Sequence, residues 1–173
     1  MFDRATTIPQ TYQIQFNFHF ALTQRLLTLA RALPNELYQA QIGYSHGSIH
    51  NTFVHLLGAN QLWRKVIANL PHPEQLPACA NIDDIDAWLA VERQGWHELL
   101  APFDASTLFE TFARTTPWGN HTFTMWTTLQ HVILHGMQHQ SELARMLTSV
   151  GHAPGDTDFL TYVDFPSYFE LPT

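Results

Sequence analysis

Between Met125 and Val150 the chain carries an unbroken helical pattern: MWTTLQHVILHGMQHQSELARMLTSV contains no proline, and Leu129, Val132, Ile133, Met137, Leu143 and Leu147 recur at three- and four-residue spacing. A helix with such a stripe is stable in water only when other elements cover it. This stretch therefore dictates a helical assembly. It also places His131, His135 and His139 four residues apart, so that the three imidazoles stand in a column beside the apolar face.

Two histidines four apart on a helix have the spacing by which the metalloprotease motif offers two nitrogens to one zinc ion. The residues between His135 and His139 are Gly136, Met137 and Gln138. The glutamate of that motif is absent, so the helix offers ligands without a built-in general base. At a rise of 1.5 Å per residue the column spans about 12 Å. One ion with bonds of ~2 Å reaches two neighbouring members of it and not all three.

The other helices follow from periodicity and punctuation. A first helix is expected from about Thr11 to Leu33, on a stripe of Ile14, Phe18, Leu22, Leu26 and Leu29, ending before Pro34. His19 reads as a boundary residue beside that stripe. Ser45-His46-Gly47-Ser48 supplies capping residues for a second helix through Phe53, Leu56, Leu57, Trp63 and Ile67 to near Asn69. His55 lies on the flank of its apolar stripe, where it needs either a hydrogen bond or a metal. His46 and His50, near the helix start, are expected to be solvated or to stand beside a site. Pro71, Pro73 and Pro77 mark a linker, after which Asp83, Asp84 and Asp86 open a third helix that ends by Pro102. Its acidic residues, Glu92 among them, are expected as caps and surface charge.

From Thr107 to Thr124 the alternation around Thr116-Pro117-Trp118-Gly119-Asn120 fits a short hairpin or an extended loop. Gly151 ends the last long helix, and Asp158 to Val163 suits a final turn or two. The expectation is one all-α domain over residues 1–173, a four-helix bundle with a long crossover before its last helix.

Composition narrows the function classes. Of 173 residues, 45% are hydrophobic and only 13% charged, against a usual ~25% charged. Eight basic residues against fifteen acidic give a formal charge of −7, and the basic ones form no run, which disfavours nucleic acid. The single cysteine, Cys79, allows no internal disulfide and suits a reducing compartment. With neither a leader pattern nor an apolar run near ~20 residues, no membrane partner and a cytoplasmic location are expected.

Three segments, SIHNTFVHLLGANQLW, TPWGNHTFTMWTTLQHVILHGMQHQSEL and GHAPGDTDFLTY, resemble the DinB/YfiT-like family of metalloenzymes over most of the chain. The family's metal triad has one histidine in the second helix and two, four apart, in the fourth. By motif position the resemblance implies His55, His135 and His139. His131 is then expected beside the ion or in a core hydrogen bond. Many members continue the last ligand with Arg-Gly-Gln, whereas this chain has Gln140, Ser141 and Glu142.

Three neutral imidazoles leave a divalent ion with an open position and its full charge. Zinc or nickel is expected, with iron or copper as further options. The resemblance implies a transferase joining a low-molecular-weight thiol to an electrophile, and a homodimer. A metal-dependent hydrolase, with His131 or His50 assisting proton transfer, and a non-catalytic metal-binding bundle are the alternatives. Trp63 and Trp126 are candidates for the pocket wall.

Overall fold

A computed structural model of the protein describes residues 7–71, 75–116 and 119–166. Four long helices, α1 (Ile8–Arg31), α3 (Ile49–Ala68), α4 (Ile82–Leu100) and α5 (Met125–Ser149), account for most of it, with short α2 (Asn35–Gln39) and α6 (Phe159–Asp164) between and after them. Their starts follow from local chemistry. Ser48 caps α3 by accepting a hydrogen bond from the Asn51 amide at 3.0 Å. Asn81 accepts from the amides of Asp83 and Asp84, and the Asp84 carboxylate accepts from the Asn81 amide in return, so α4 opens on a reciprocal cap. At its other end α3 closes on Asn69 in the left-handed conformation, φ 55°.

Around the bundle, α1 and α3 each pack between α4 and α5. The core draws on all four: Phe16, Leu26 and Leu27 of α1, Phe53, Leu56 and Leu57 of α3, Ile85, Leu89 and Trp96 of α4, and Leu129, Leu143 and Leu147 of α5. Each such side chain contributes about 1.5–3 kcal/mol on burial. Phe16 stacks on Trp96 with ring centroids 4.4 Å apart, and the Trp96 indole N–H donates to the Asn60 carbonyl at 3.3 Å. This is the expected four-helix arrangement.

The crossover before α5 is a 3-10 turn (Thr107–Phe109) and an antiparallel hairpin, β1 (Thr111–Thr116) with β2 (Gly119–Thr124), in which Phe112 faces Phe123 and Arg114 faces His121. A hairpin rather than an open loop is thus formed. Its tip residues Pro117 and Trp118 lie outside the described residues, as does Pro73 of the linker. The Arg114 guanidinium donates to the Val66 carbonyl at 3.1 Å, tying the hairpin to the end of α3. The tail folds back on α1: Phe18 meets Phe159 and Tyr162 at centroid distances of 5.3 and 5.4 Å.

Two expectations are corrected by the packing. His19 is not a boundary residue but is 1% exposed. It is received by a notch at Gly136, where a Cβ would stand 2.3 Å from the His19 ring, and by Gln140, whose amide nitrogen donates to the His19 carbonyl at 2.7 Å and to the Thr23 hydroxyl at 2.8 Å. Glu92 is not surface charge but fully buried, accepting two hydrogen bonds from Arg64 at 2.7 and 2.9 Å. Among the described residues no helix is long and apolar enough to cross a membrane.

Candidate metal centre

Where α3 and α5 run side by side, His55 projects toward His135 and His139. The Nε2 atoms of His55 and His135 are 3.3 Å apart, and those of His139 and His135 are 3.1 Å apart. The His139 ring is 4% exposed and its Nδ1–H donates to a Glu142 carboxylate oxygen at 2.7 Å. That bond leaves the lone pair of His139 on Nε2, facing the other two rings. A single proton between imidazole nitrogens satisfies one such contact, whereas a cation satisfies both. The separations also suit a cation, since two nitrogens bound tetrahedrally to one ion at 2.0–2.1 Å lie about 3.3 Å apart.

A fourth imidazole adjoins these. His46 lies in the connection ahead of α3, and nitrogens of His46, His55 and His139 all fall within 4.8 Å of one another, a grouping compatible with a metal site. Its ring stacks on that of His55 with centroids 3.7 Å apart and planes inclined by 17°. Imidazole lone pairs lie in the ring plane, so two nearly parallel rings stacked in this way do not aim at one ion. His135 and His139, with planes inclined by 70°, bring their Nε2 atoms to 3.1 Å.

The segment from Gly43 to Gly47 forms a strap over this end of α5. Gly43, Ser45 and Gly47 have φ of 63°, 51° and 90°, so every second residue takes the left-handed conformation, at Ser45 without the freedom of glycine. Ile42 N–H donates to the Gly47 carbonyl at 2.7 Å, closing the turn. Three successive strap residues then meet α5: Tyr44 lies under the Arg145 guanidinium at 4.6 Å, the Ser45 hydroxyl donates to Glu142, and His46 faces His139 at 5.0 Å. Positions 139, 142 and 145 form one stripe of the helix.

Burial, reinforced by the neighbouring imidazoles, lowers the pKa of His55 and of His135 to about 4, and lowers that of His46. The rings of His55 and His135 are therefore neutral at pH 7, with lone pairs available for coordination. Burial raises the Glu142 carboxyl, but hydrogen bonds from Ser45 and His139 outweigh it and hold the group below its ordinary value. The site accordingly sets the neutral imidazoles of His55 and His135 beside a His139 ring held by a carboxylate.

The remaining residues singled out in the sequence are distributed differently. His131 is exposed, 5.8 Å from the His135 ring and edge-on to Trp63 at 5.2 Å, so it stands beside the cluster and not in a core hydrogen bond. His50 is turned away: its Nδ1 is 3.2 Å from the Tyr38 hydroxyl. Trp63 packs against Phe123 and His131 near the cluster, while Trp126 is 44% exposed. Cys79 packs against the core, where burial raises its thiol pKa. A cleft of about 550 Å³ between the end of α3 and β1 is lined by Lys65, Asn69, Arg114 and Thr115 among others, without a histidine or carboxylate. The sequence reading missed Glu142, whose signal is its place three residues after His139 on the same helical face.

The family model described as the DinB family matches residues 9–167, and the chain therefore belongs to that family. No curated protein matches it.

Proposed function

We propose, from DinB-family membership and the cluster between α3 and α5, that His55, His135 and His139 hold one divalent transition-metal ion, and that the site joins a low-molecular-weight thiol to an electrophile. The observation that supports it most is the pair of Nε2 separations, 3.1 and 3.3 Å, from His135 to His139 and His55, beside a His139 whose Nδ1–H is held by Glu142. A bound ion would supply Lewis acidity, lowering the pKa of a coordinated thiol into the neutral range. Zinc and nickel both suit three imidazoles.

The chain's own residues divide the remaining work. His55 and His135 remain neutral and orient their nitrogens inward, and Glu142 fixes the tautomer of His139. With imidazole nitrogens as its protein ligands and no carboxylate among them, a bound ion would keep its charge and favour an anionic sulfur. Trp63 and the exposed His131 form the wall next to His135. The thiol comes from outside the protein, because burial raises the Cys79 thiol pKa and its side chain packs against the core from the proline-rich linker.

Zinc- or nickel-loaded protein, incubated with a panel of small thiols and an activated aryl electrophile, is expected to form conjugate faster than the uncatalysed background. Cys79→Ser should keep that rate and His135→Ala should lose it. Equal consumption of the electrophile without thiol would replace the transferase by a hydrolase. We also propose a homodimer, for which light scattering at micromolar concentration should show twice the 19.8 kDa chain mass. A species of chain mass alone would overturn that assembly.

A further inference from the structure

One carboxylate oxygen serves two partners at the edge of the histidine cluster. Glu142 Oε2 accepts the Nδ1–H of His139 at 2.7 Å and also the hydroxyl proton of Ser45, in the middle of the strap. Among the described residues, His139 alone of the three converging histidines has its Nδ1 held by a carboxylate. Ser45 in turn is flanked by Tyr44, pinned under Arg145, and by His46, lying on the His55 ring. Residues 44, 45 and 46 thus meet residues 145, 142 and 139 in reverse order, with Glu142 as the central contact.

We infer that Glu142 is a positioning residue that couples occupancy of the histidine site to the seating of the Gly43–Gly47 strap. The inference rests on the metal reading above. A carboxylate on the far nitrogen of a ligating imidazole orients the ring and raises its basicity, and losing such a partner typically lowers metal affinity 10–100-fold. Here the same oxygen also holds a serine with φ of 51°, a conformation that persists in a non-glycine residue only when its surroundings impose it. An ion that draws on His139 strengthens the bond from Nδ1–H to Glu142, which keeps the carboxylate in place to receive Ser45. Seating the strap fixes His46 against His55 on one flank of the cluster. In the other direction, a seated strap holds Glu142 where it pre-orients His139.

Glu142 holds its charge at the outer nitrogen of His139, and would therefore act on a bound ion through that ring without occupying a coordination position.

The test is competition of apo protein with a chromophoric chelator for Zn²⁺, in wild type, Glu142→Gln, Glu142→Ala and Ser45→Ala, together with hydrogen exchange of the 43–47 amides with and without zinc. Glu142→Ala should weaken zinc binding 10–100-fold with little change in the apo melting temperature. Glu142→Gln, whose amide oxygen still accepts from Nδ1–H but carries no charge, should fall between it and wild type. Ser45→Ala should cost only a few-fold, because the serine reaches His139 only through Glu142. Zinc should slow exchange across the strap in wild type and not in Glu142→Ala. Wild-type zinc affinity in the Glu142 variants, or equal slowing of the strap in Glu142→Ala, overturns the coupling while leaving the metal site standing. A wild-type protein that takes up no zinc overturns the metal reading and this inference with it. Should Glu142→Ala fail to fold, Glu142→Gln decides by the same readouts.

Discussion

On the side of α3 that meets α4, Arg64 makes a two-pronged ion pair with a Glu92 that is fully buried, and each charge has its partner within the protein. On the side that meets α5, nine residues earlier and about 180° round the helix, His55 faces two more imidazoles. There, imidazole nitrogens approach one another at 3.1–3.3 Å. Both seams bury polar groups in an apolar bundle. The first is electrostatically closed and acts as a staple between helices, whereas in the reading proposed above the second is closed by a cation. Polar burial alone therefore does not mark a functional site; the balance of donors and acceptors does.

Breaking each seam should have opposite consequences. Glu92→Ala strands the Arg64 charge at 15% exposure and should cost about 3–5 kcal/mol in denaturant unfolding, with zinc affinity unchanged. Replacing the pair together, Arg64→Met with Glu92→Leu, should restore most of that stability, since similar apolar volume often substitutes well for a buried ion pair. If the double replacement also abolished zinc binding, the two seams would not be independent.

A smaller loss is expected at the notch that lies behind the metal seam. Gly136→Ala drives a methyl to within 2.3 Å of the His19 ring and should cost about 1–3 kcal/mol, because both partners are fixed by close packing. Histidine titration sharpens the comparison from the solvent side. Burial lowers the pKa of His19 to about 4, against 6.5 in an unfolded chain. Between these values the unfolded chain binds the proton and the native one does not, so apo stability should fall as pH drops from about 6.5 to 4 and flatten below. For His19 alone the loss is at most about 3 kcal/mol. A urea series on the apo protein and on His19→Leu should show that slope, and its reduction in the variant.

How much of this could be seen in the chain beforehand differs between the seams. The four helices follow from stripes, prolines and caps that act locally, and Ser48 and Asn81 set the starts of α3 and α4 through bonds within three residues. The histidine pair on α5 was visible because helical spacing alone brings positions 135 and 139 together. The depth of His19 was not, since it depends on a notch at Gly136 and on Gln140, more than a hundred residues away. In the sequence Glu92 reads, like the other acidic residues of its helix, as surface charge. Only the fold brings Arg64 to it and sets Gly95 beside the guanidinium, where a Cβ would stand 2.7 Å away. His46 could be placed near the start of α3, but the left-handed alternation that returns it onto His55 is a property of the strap as a whole.

The central claim is that the α3–α5 seam is completed by one ion on His55, His135 and His139. Metal content and zinc affinity of four alanine variants, at positions 46, 55, 135 and 139, test it most directly. Wild type should bind one equivalent. His55→Ala, His135→Ala and His139→Ala should each lose stoichiometric binding while keeping the helical circular dichroism of the wild type, and His46→Ala should retain it. Loss of the ion in His46→Ala with full retention in His135→Ala would contradict the account and assign the site to His46, His55 and His139 instead.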